Sequence, residues 1–127
     1  MNIASNTGPL IALAKANRLD VLEQLFGTVQ IPQAVRRELF AGRGSEIDRL
    51  DEAMSRFIKV QSIQQMLPQV KSVTDRLGAG EQQAIALAHQ LRIPLLIDDQ
   101  AGRTVARGLG IAVTGLVGVL IHAKQSG

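Results

Sequence analysis

Apolar and polar positions along this chain switch repeatedly between a two-residue and a 3.6-residue period. Asn2–Ser5 reads as a short strand and Pro9–Ala16 as a helix, proline being tolerated in a first turn. Asp20 stands near the start of a second helical stretch, with Val21, Leu22, Leu25 and Phe26 at core spacing and Gly27 as its stop. Val29–Ile31 is a strand, and Pro32 opens a helix to Ala41. Beyond the flexible break Gly42-Arg43-Gly44, Ser45 is placed to cap a charged helix that runs to Arg56, with Ile47, Leu50 and Met54 as its apolar line. Phe57–Val60 is a third strand. The stretch Gln61–Leu77 contains Pro68 and little periodicity, and reads as a loop holding at most a helical turn. The strongest helical pattern, Glu81–Leu91, follows Gly78-Ala79-Gly80. Pro94–Ile97 is wholly apolar, as expected of a strand inside a parallel sheet. Helix Gln100–Leu109, strand Ile111–Val113 and helix Gly115–Gln125, the last capped by Thr114, complete the pattern. This alternation implies an α/β fold, a largely parallel sheet covered by helices on both faces. The 127 residues leave room for one domain, residues 1–127, around one core.

Composition narrows the chemistry. With 46% hydrophobic and 20% charged residues the chain has the balance of a globular protein. It contains no cysteine, which excludes disulfides, thiolate metal sites and a cysteine nucleophile, and fits a reducing compartment. His89 and His122 are far apart and lack the spacing of zinc ligands. No basic segment precedes an apolar one at the N-terminus, so no secretory signal is expected. The longest apolar run, Gly110–Ala123, is interrupted by Thr114, Gly115 and Gly118 and falls short of the roughly 20 residues of a membrane helix. A soluble, cytoplasmic protein with no membrane partner is the expectation. A formal charge of +3 and a sequence pI of about 10.0 permit a polyanionic partner without requiring one. Aromatic residues are only 2%, with no Trp or Tyr, so base stacking is poorly supported. Contact with nucleic acid would run through arginines and metal ions.

Ligands of open parallel sheets bind beyond the carboxyl ends of the strands, where strand order switches. Polar residues at those ends are therefore the candidates. Asn6 and Thr7 leave the first strand, although both types also favour turns and caps. Glu38 borders the apolar seam of its helix through the 34–38–41 spacing, and in isolation also reads as a solvated edge residue. Glu81 shares a face with Ala84, Ile85 and Ala88; a first-turn acid complements the helix dipole, which explains its position but not its face. Asp98-Asp99 directly follows Leu95-Leu96-Ile97, and two adjacent carboxylates there repel each other and invite a counter-ion. Asp99 also suits a helix cap. Carboxylates brought together raise one another's pKa unless a cation intervenes. Hard divalent cations take such oxygen ligands, often with substrate phosphate, and this suits metal-assisted phosphodiester hydrolysis.

These phrases resemble the PIN-domain nucleases, in particular a prokaryotic branch akin to toxin–antitoxin ribonuclease toxins. The similarity lies in Ile3-Ala-Ser-Asn-Thr-Gly-Pro-Leu-Ile-Ala-Leu-Ala-Lys15, Ile31-Pro-Gln-Ala-Val-Arg-Arg-Glu-Leu39, Gly80-Glu-Gln-Gln-Ala-Ile-Ala-Leu-Ala88, Leu95-Leu-Ile-Asp-Asp99 and Val113-Thr-Gly115. It spans nearly the whole chain and implies a PIN-like three-layer α/β/α sandwich with a mainly parallel sheet. It also implies an Mg²⁺- or Mn²⁺-dependent ribonuclease acting on RNA, often the toxin of a pair with an antitoxin protein, and often a homodimer. The family's four acidic positions fall on Asn6, Glu38, Glu81 and the Asp98–Asp99 pair, Asp99 being the better match, and the small hydroxyl residue falls on Thr7. Asn6, Glu81, Asp98 and Asp99 are then the expected metal ligands. Thr7, with Arg103 and Arg107 one turn apart on the following helix, is expected to meet substrate, although arginines at that spacing also suit a solvated helix face.

The chain departs from the family's pattern in two respects. Asn6 replaces the first acid, removing one negative charge, and relatives commonly continue past the last helix whereas this sequence stops at Gly127. A missing C-terminal element would affect dimerisation, substrate grip or both. The alternative function is a catalytically inactive PIN-fold module that binds RNA or a protein partner. A receiver-type signalling domain also carries an Asp-Asp pair, but there it ends the first strand, where this chain has Asn6.

Overall fold

A computed structural model describes residues 2–125 of the chain. It contains five strands: β1 (Asn2–Ser5), β2 (Thr28–Ile31), β3 (Ile58–Val60), β4 (Leu95–Leu96) and β5 (Val113–Thr114). Between them lie α1 (Thr7–Lys15), α2 (Asp20–Phe26), α3 (Gln33–Leu39), α4 (Glu46–Arg56), α5 (Pro68–Thr74), α6 (Ala79–Leu91) and α7 (Gln100–Gly108), with α8 (Leu116–Gln125) last. All strand pairs are parallel, in the order β3-β2-β1-β4-β5. This is the three-layer α/β/α arrangement that the pattern of periods implies. The strand order runs outward from β1 in one direction for β2 and β3, and in the other for β4 and β5. The switch point therefore lies between β1 and β4, where Ala4 pairs with Leu95 and Ser5 with Leu96.

The core explains why these short strands hold. Ile3, Ala4, Val29, Ile31, Leu95, Leu96 and Ile97 are completely buried, as are Leu10, Leu22, Leu50, Ile85 and Leu87 from the helices. A two-residue β4 is enough because the ladder continues beyond it. The Ala4 amide donates to the Pro94 carbonyl at 2.9 Å and the Ile97 amide to that of Thr114 at 3.0 Å. Truncating Leu96 to alanine would open a cavity in the central strand, and should destabilise the protein by about 2–5 kcal/mol. The shift of a urea unfolding midpoint measures this; an unchanged midpoint would show that Leu96 is not packed as described. Among the described residues no helix is long and apolar enough to cross a membrane.

Several boundaries differ from the sequence expectations. α1 begins at Thr7, which makes Pro9 its third residue rather than its first, still within the turn that tolerates proline. The expected loop contains α5, with Pro68 in its first turn. Its buried positions are Val70 and Thr74, and a polar residue in the seam breaks the hydrophobic signal. The structure satisfies that residue: Thr74 Oγ1 donates to the Val70 carbonyl at 2.7 Å and accepts from Gln82 Nε2 at 3.0 Å. Ser45 makes no side-chain cap on α4. Thr114 belongs to β5, and the first amide of α8 is bonded instead by Asp98.

Candidate active site

Chain topology brings six of the candidate side chains to one place. Asn6, Thr7, Glu38, Glu81, Asp98 and Asp99, together with Gly8 and Pro9, line a cleft of about 220 Å³ beyond the carboxyl ends of β1 and β4. This is where the switch in strand order parts the crossover connections. Neither expected arginine lines the cleft: Arg103 lies beside its Asp98 end, and Arg107 is exposed on α7. Arg36 and Arg37 are exposed on α3.

The side chains come from several elements. Asn6 occupies the N-cap position of α1 in extended backbone geometry, yet its side chain makes no cap bond. It is only 7% exposed. Its Oδ1 is buried and has no hydrogen-bond partner. A capping role would have satisfied that oxygen, and a buried carbonyl oxygen without a donor calls for another explanation. Thr7, half-buried in the first turn of α1, donates its hydroxyl to Glu38 Oε1 at 2.8 Å and so ties α1 to α3. Gly80 makes room for this pair: a Cβ there would collide with Glu38 Oε1 and stand 3.4 Å from Thr7 Oγ1. Glu81, third residue of α6, is half-buried while Ala84, Ile85 and Ala88 behind it are buried. Its carboxylate has no hydrogen-bond partner among the described residues, so its position reflects the helix alone.

The two adjacent aspartates diverge. Asp99 is the N-cap of α7, its Oδ2 accepting from the Gly102 amide at 2.7 Å. Asp98 Oδ1 accepts from the Leu116 amide at the start of α8, at 2.8 Å. The expected repulsion is therefore eased by two helix N-termini rather than by a bonded ion pair. The described ion pairs, Arg56 with Glu23 and Glu52 and Lys71 with Asp75, all lie elsewhere. α1, α6, α7 and α8 each bring a helix start to this acidic ring, and their partial positive charge helps four carboxylates coexist. Each aspartate keeps one oxygen outside these bonds.

The donor set is made of hard oxygens, the kind that Mg²⁺ and Mn²⁺ accept. Among the described residues, no three acidic or histidine side chains stand close enough to form a metal cluster by themselves. That spacing suits a cation held by one or two carboxylates together with substrate phosphate, a common mode for Mg²⁺. The glycines at 80 and 115 and the Leu116 amide were not legible as site groups. The one available signal was the Gly80-Glu81 adjacency, since a missing side chain cannot advertise the neighbour that fills its space.

No curated protein matches the chain in sequence. Among solved structures it resembles a PilT N-terminus domain protein from the hyperthermophilic archaeon Sulfolobus solfataricus P2, at 21% identity and a TM-score of 0.69, over 97% of this chain and 93% of that one. It also resembles PAE2754 from Pyrobaculum aerophilum, at 17% identity and a TM-score of 0.70, over 98% and 96% of the two chains. A third likeness is to VapBC2 from Rickettsia felis, solved bound to a DNA fragment from its promoter. Here identity is 13% and the TM-score 0.60, over 91% of this chain and 98% of that one. At such identities these likenesses establish the fold alone. The family model does more, because it matches residues 2–127: the chain belongs to the family DUF3368, described as a PIN domain.

Proposed function

We propose that this chain is a ribonuclease that hydrolyses RNA phosphodiesters with the help of Mg²⁺ or Mn²⁺, and that it is the toxin of a toxin–antitoxin pair. The observation that carries the reading is the single cleft lined by Asn6, Thr7, Glu38, Glu81, Asp98 and Asp99, with a buried and unpartnered Asn6 Oδ1. Membership of the PIN family supports it, and the likeness to VapBC2 supports an antitoxin partner. A homodimer and a cytoplasmic location go with this reading.

In this assignment Asn6 Oδ1 and one or two of the carboxylates of Glu81, Asp98 and Asp99, together with substrate phosphate, would hold the cation. A bound divalent ion supplies acidification of water and neutralisation of phosphoryl charge. The protein's own groups do the rest. Thr7 orients Glu38 through Oε1, leaving Oε2 to take the proton of the attacking water as its oxygen bonds to phosphorus. The bond from phosphorus to the ribose oxygen breaks, and that oxygen takes a proton from solvent. Arg103, beside the Asp98 end of the cleft, contributes positive charge toward a substrate phosphate.

The test is cleavage of single-stranded RNA with Mn²⁺, with and without chelator, by wild type and Asp99→Asn. Asparagine caps a helix as well as aspartate does, so this variant keeps the Gly102 bond and changes mainly the charge. Cleavage should disappear with chelator and fall sharply in the variant; activity that survives both would sink the proposal. The amide at position 6 favours a second reading, a module that binds RNA or a protein partner without cutting. Wild type that binds RNA but shows no Mn²⁺-dependent turnover would support it.

A further inference from the structure

The geometry points to Arg103 and Gly115 as positioning residues for Asp98, which makes the corner between β5 and α8 part of the active site. This rests on the reading of the cleft as a cation and phosphate site. Asp98 is exposed and follows β4 on a loop, so nothing in its own segment orients its carboxylate. One group from elsewhere bonds it and a second stands close by. One is the Leu116 amide, which donates to Oδ1 at 2.8 Å. The other is the Arg103 guanidinium, which shares with Asp98 the space left open by Gly115. A Cβ on Gly115 would stand 2.7 Å from Asp98 Oδ1 and 3.0 Å from Arg103 Nη1.

The backbone offers no reason for that glycine. Positive φ occurs at Gly27, Gly44 and Gly110, but not at Gly115. An alanine is conformationally allowed there, and what it would displace is the ends of two side chains rather than the core. Arg103 is equally specific. It is half-buried, its Nε is sealed from solvent without a hydrogen-bond partner, and it forms no ion pair among the described residues. Its Nη1 borders the Gly115 space opposite Asp98 Oδ1 without bonding it, so the guanidinium limits by its bulk where that carboxylate can turn. Because the Asp98 bond runs to the first amide of α8, the carboxylate is coupled to that helix as well.

The experiment begins with the cation-free protein. Asp98→Asn should move the Leu116 amide resonance in a nitrogen–proton NMR spectrum, and Gly115→Ala and Arg103→Met should move the same resonance while remote core amides stay in place. Calorimetric titration with Mn²⁺ then provides the second readout. Gly115→Ala should weaken binding roughly 10- to 100-fold, the range found for groups that orient metal ligands, and Arg103→Met should also weaken it, the loss of orientation outweighing the gain from removing a positive charge beside the cation. Neither should weaken it further in an Asp98→Asn background, because they act through that residue. Arg103→Lys should recover part of the loss. A Leu116 resonance indifferent to Arg103→Met, or losses that add to that of Asp98→Asn, would overturn the assignment. Should Gly115→Ala fail to fold, the arginine variants decide by the same criteria. Wild type that binds no Mn²⁺ while the Leu116 shifts persist would defeat the ribonuclease reading and leave the positioning of Asp98 supported.

Discussion

Replacing Asn6 with aspartate should tighten Mn²⁺ binding by about tenfold or more, equivalent to about 1.4 kcal/mol, and raise RNA cleavage with it. The side chain is 7% exposed and its Oδ1 has no donor. The substitution is nearly isosteric, so the change is mainly one of charge. The same charge should harm the cation-free protein, because it adds to the ring of Glu38, Glu81, Asp98 and Asp99 in a partly desolvated cleft. In chelator the variant should lose roughly 1–3 kcal/mol of stability, and excess Mn²⁺ should restore it by binding only the folded state. Thermal melts with and without Mn²⁺, alongside titration calorimetry, measure both effects. If affinity and melting behaviour match those of wild type, Asn6 does not face the cation.

Glu81→Gln should lower Mn²⁺-dependent cleavage roughly 100-fold, about 2.7 kcal/mol of barrier, with little change in stability. Glu81 is the cleanest acid to test because it holds nothing else in place. Asp98 and Asp99 each bond a helix amide and Glu38 is tied to Thr7, whereas no described residue bonds the Glu81 carboxylate. Loss of its favourable interaction with the α6 dipole is worth at most about 1 kcal/mol, and relief of repulsion from neighbouring acids offsets part of that. Comparison of cleavage rates at saturating Mn²⁺ with urea unfolding midpoints separates chemistry from folding. Full activity in Glu81→Gln would remove this residue from the site.

The α/β class was legible because burial imposes periods on the chain. Leu95-Leu96-Ile97 can be uniformly apolar only inside a sheet covered on both faces, and all three are fully buried. α5 escaped because its seam contains Thr74, whose hydroxyl is satisfied by Val70 and Gln82, a solution visible only once α6 lies alongside. The acids themselves were legible as polar residues at strand exits and helix starts, positions that a parallel sheet leaves for ligands.

Sequence alone therefore determined every element type but that of α5, the family resemblance and the identity of the candidate acids, because each follows from local period or local phrase. Only the tertiary structure decided how those side chains are held. It placed the β1–β4 switch point, divided Asp98 and Asp99 between two helix amides, joined Thr7 to Glu38 over Gly80, and left Asn6 Oδ1 buried without a donor. These arrangements depend on contacts between residues far apart in the chain. The hydrogen-bond partner of a carboxylate is set by which helix start packs beside it, and no local pattern encodes that.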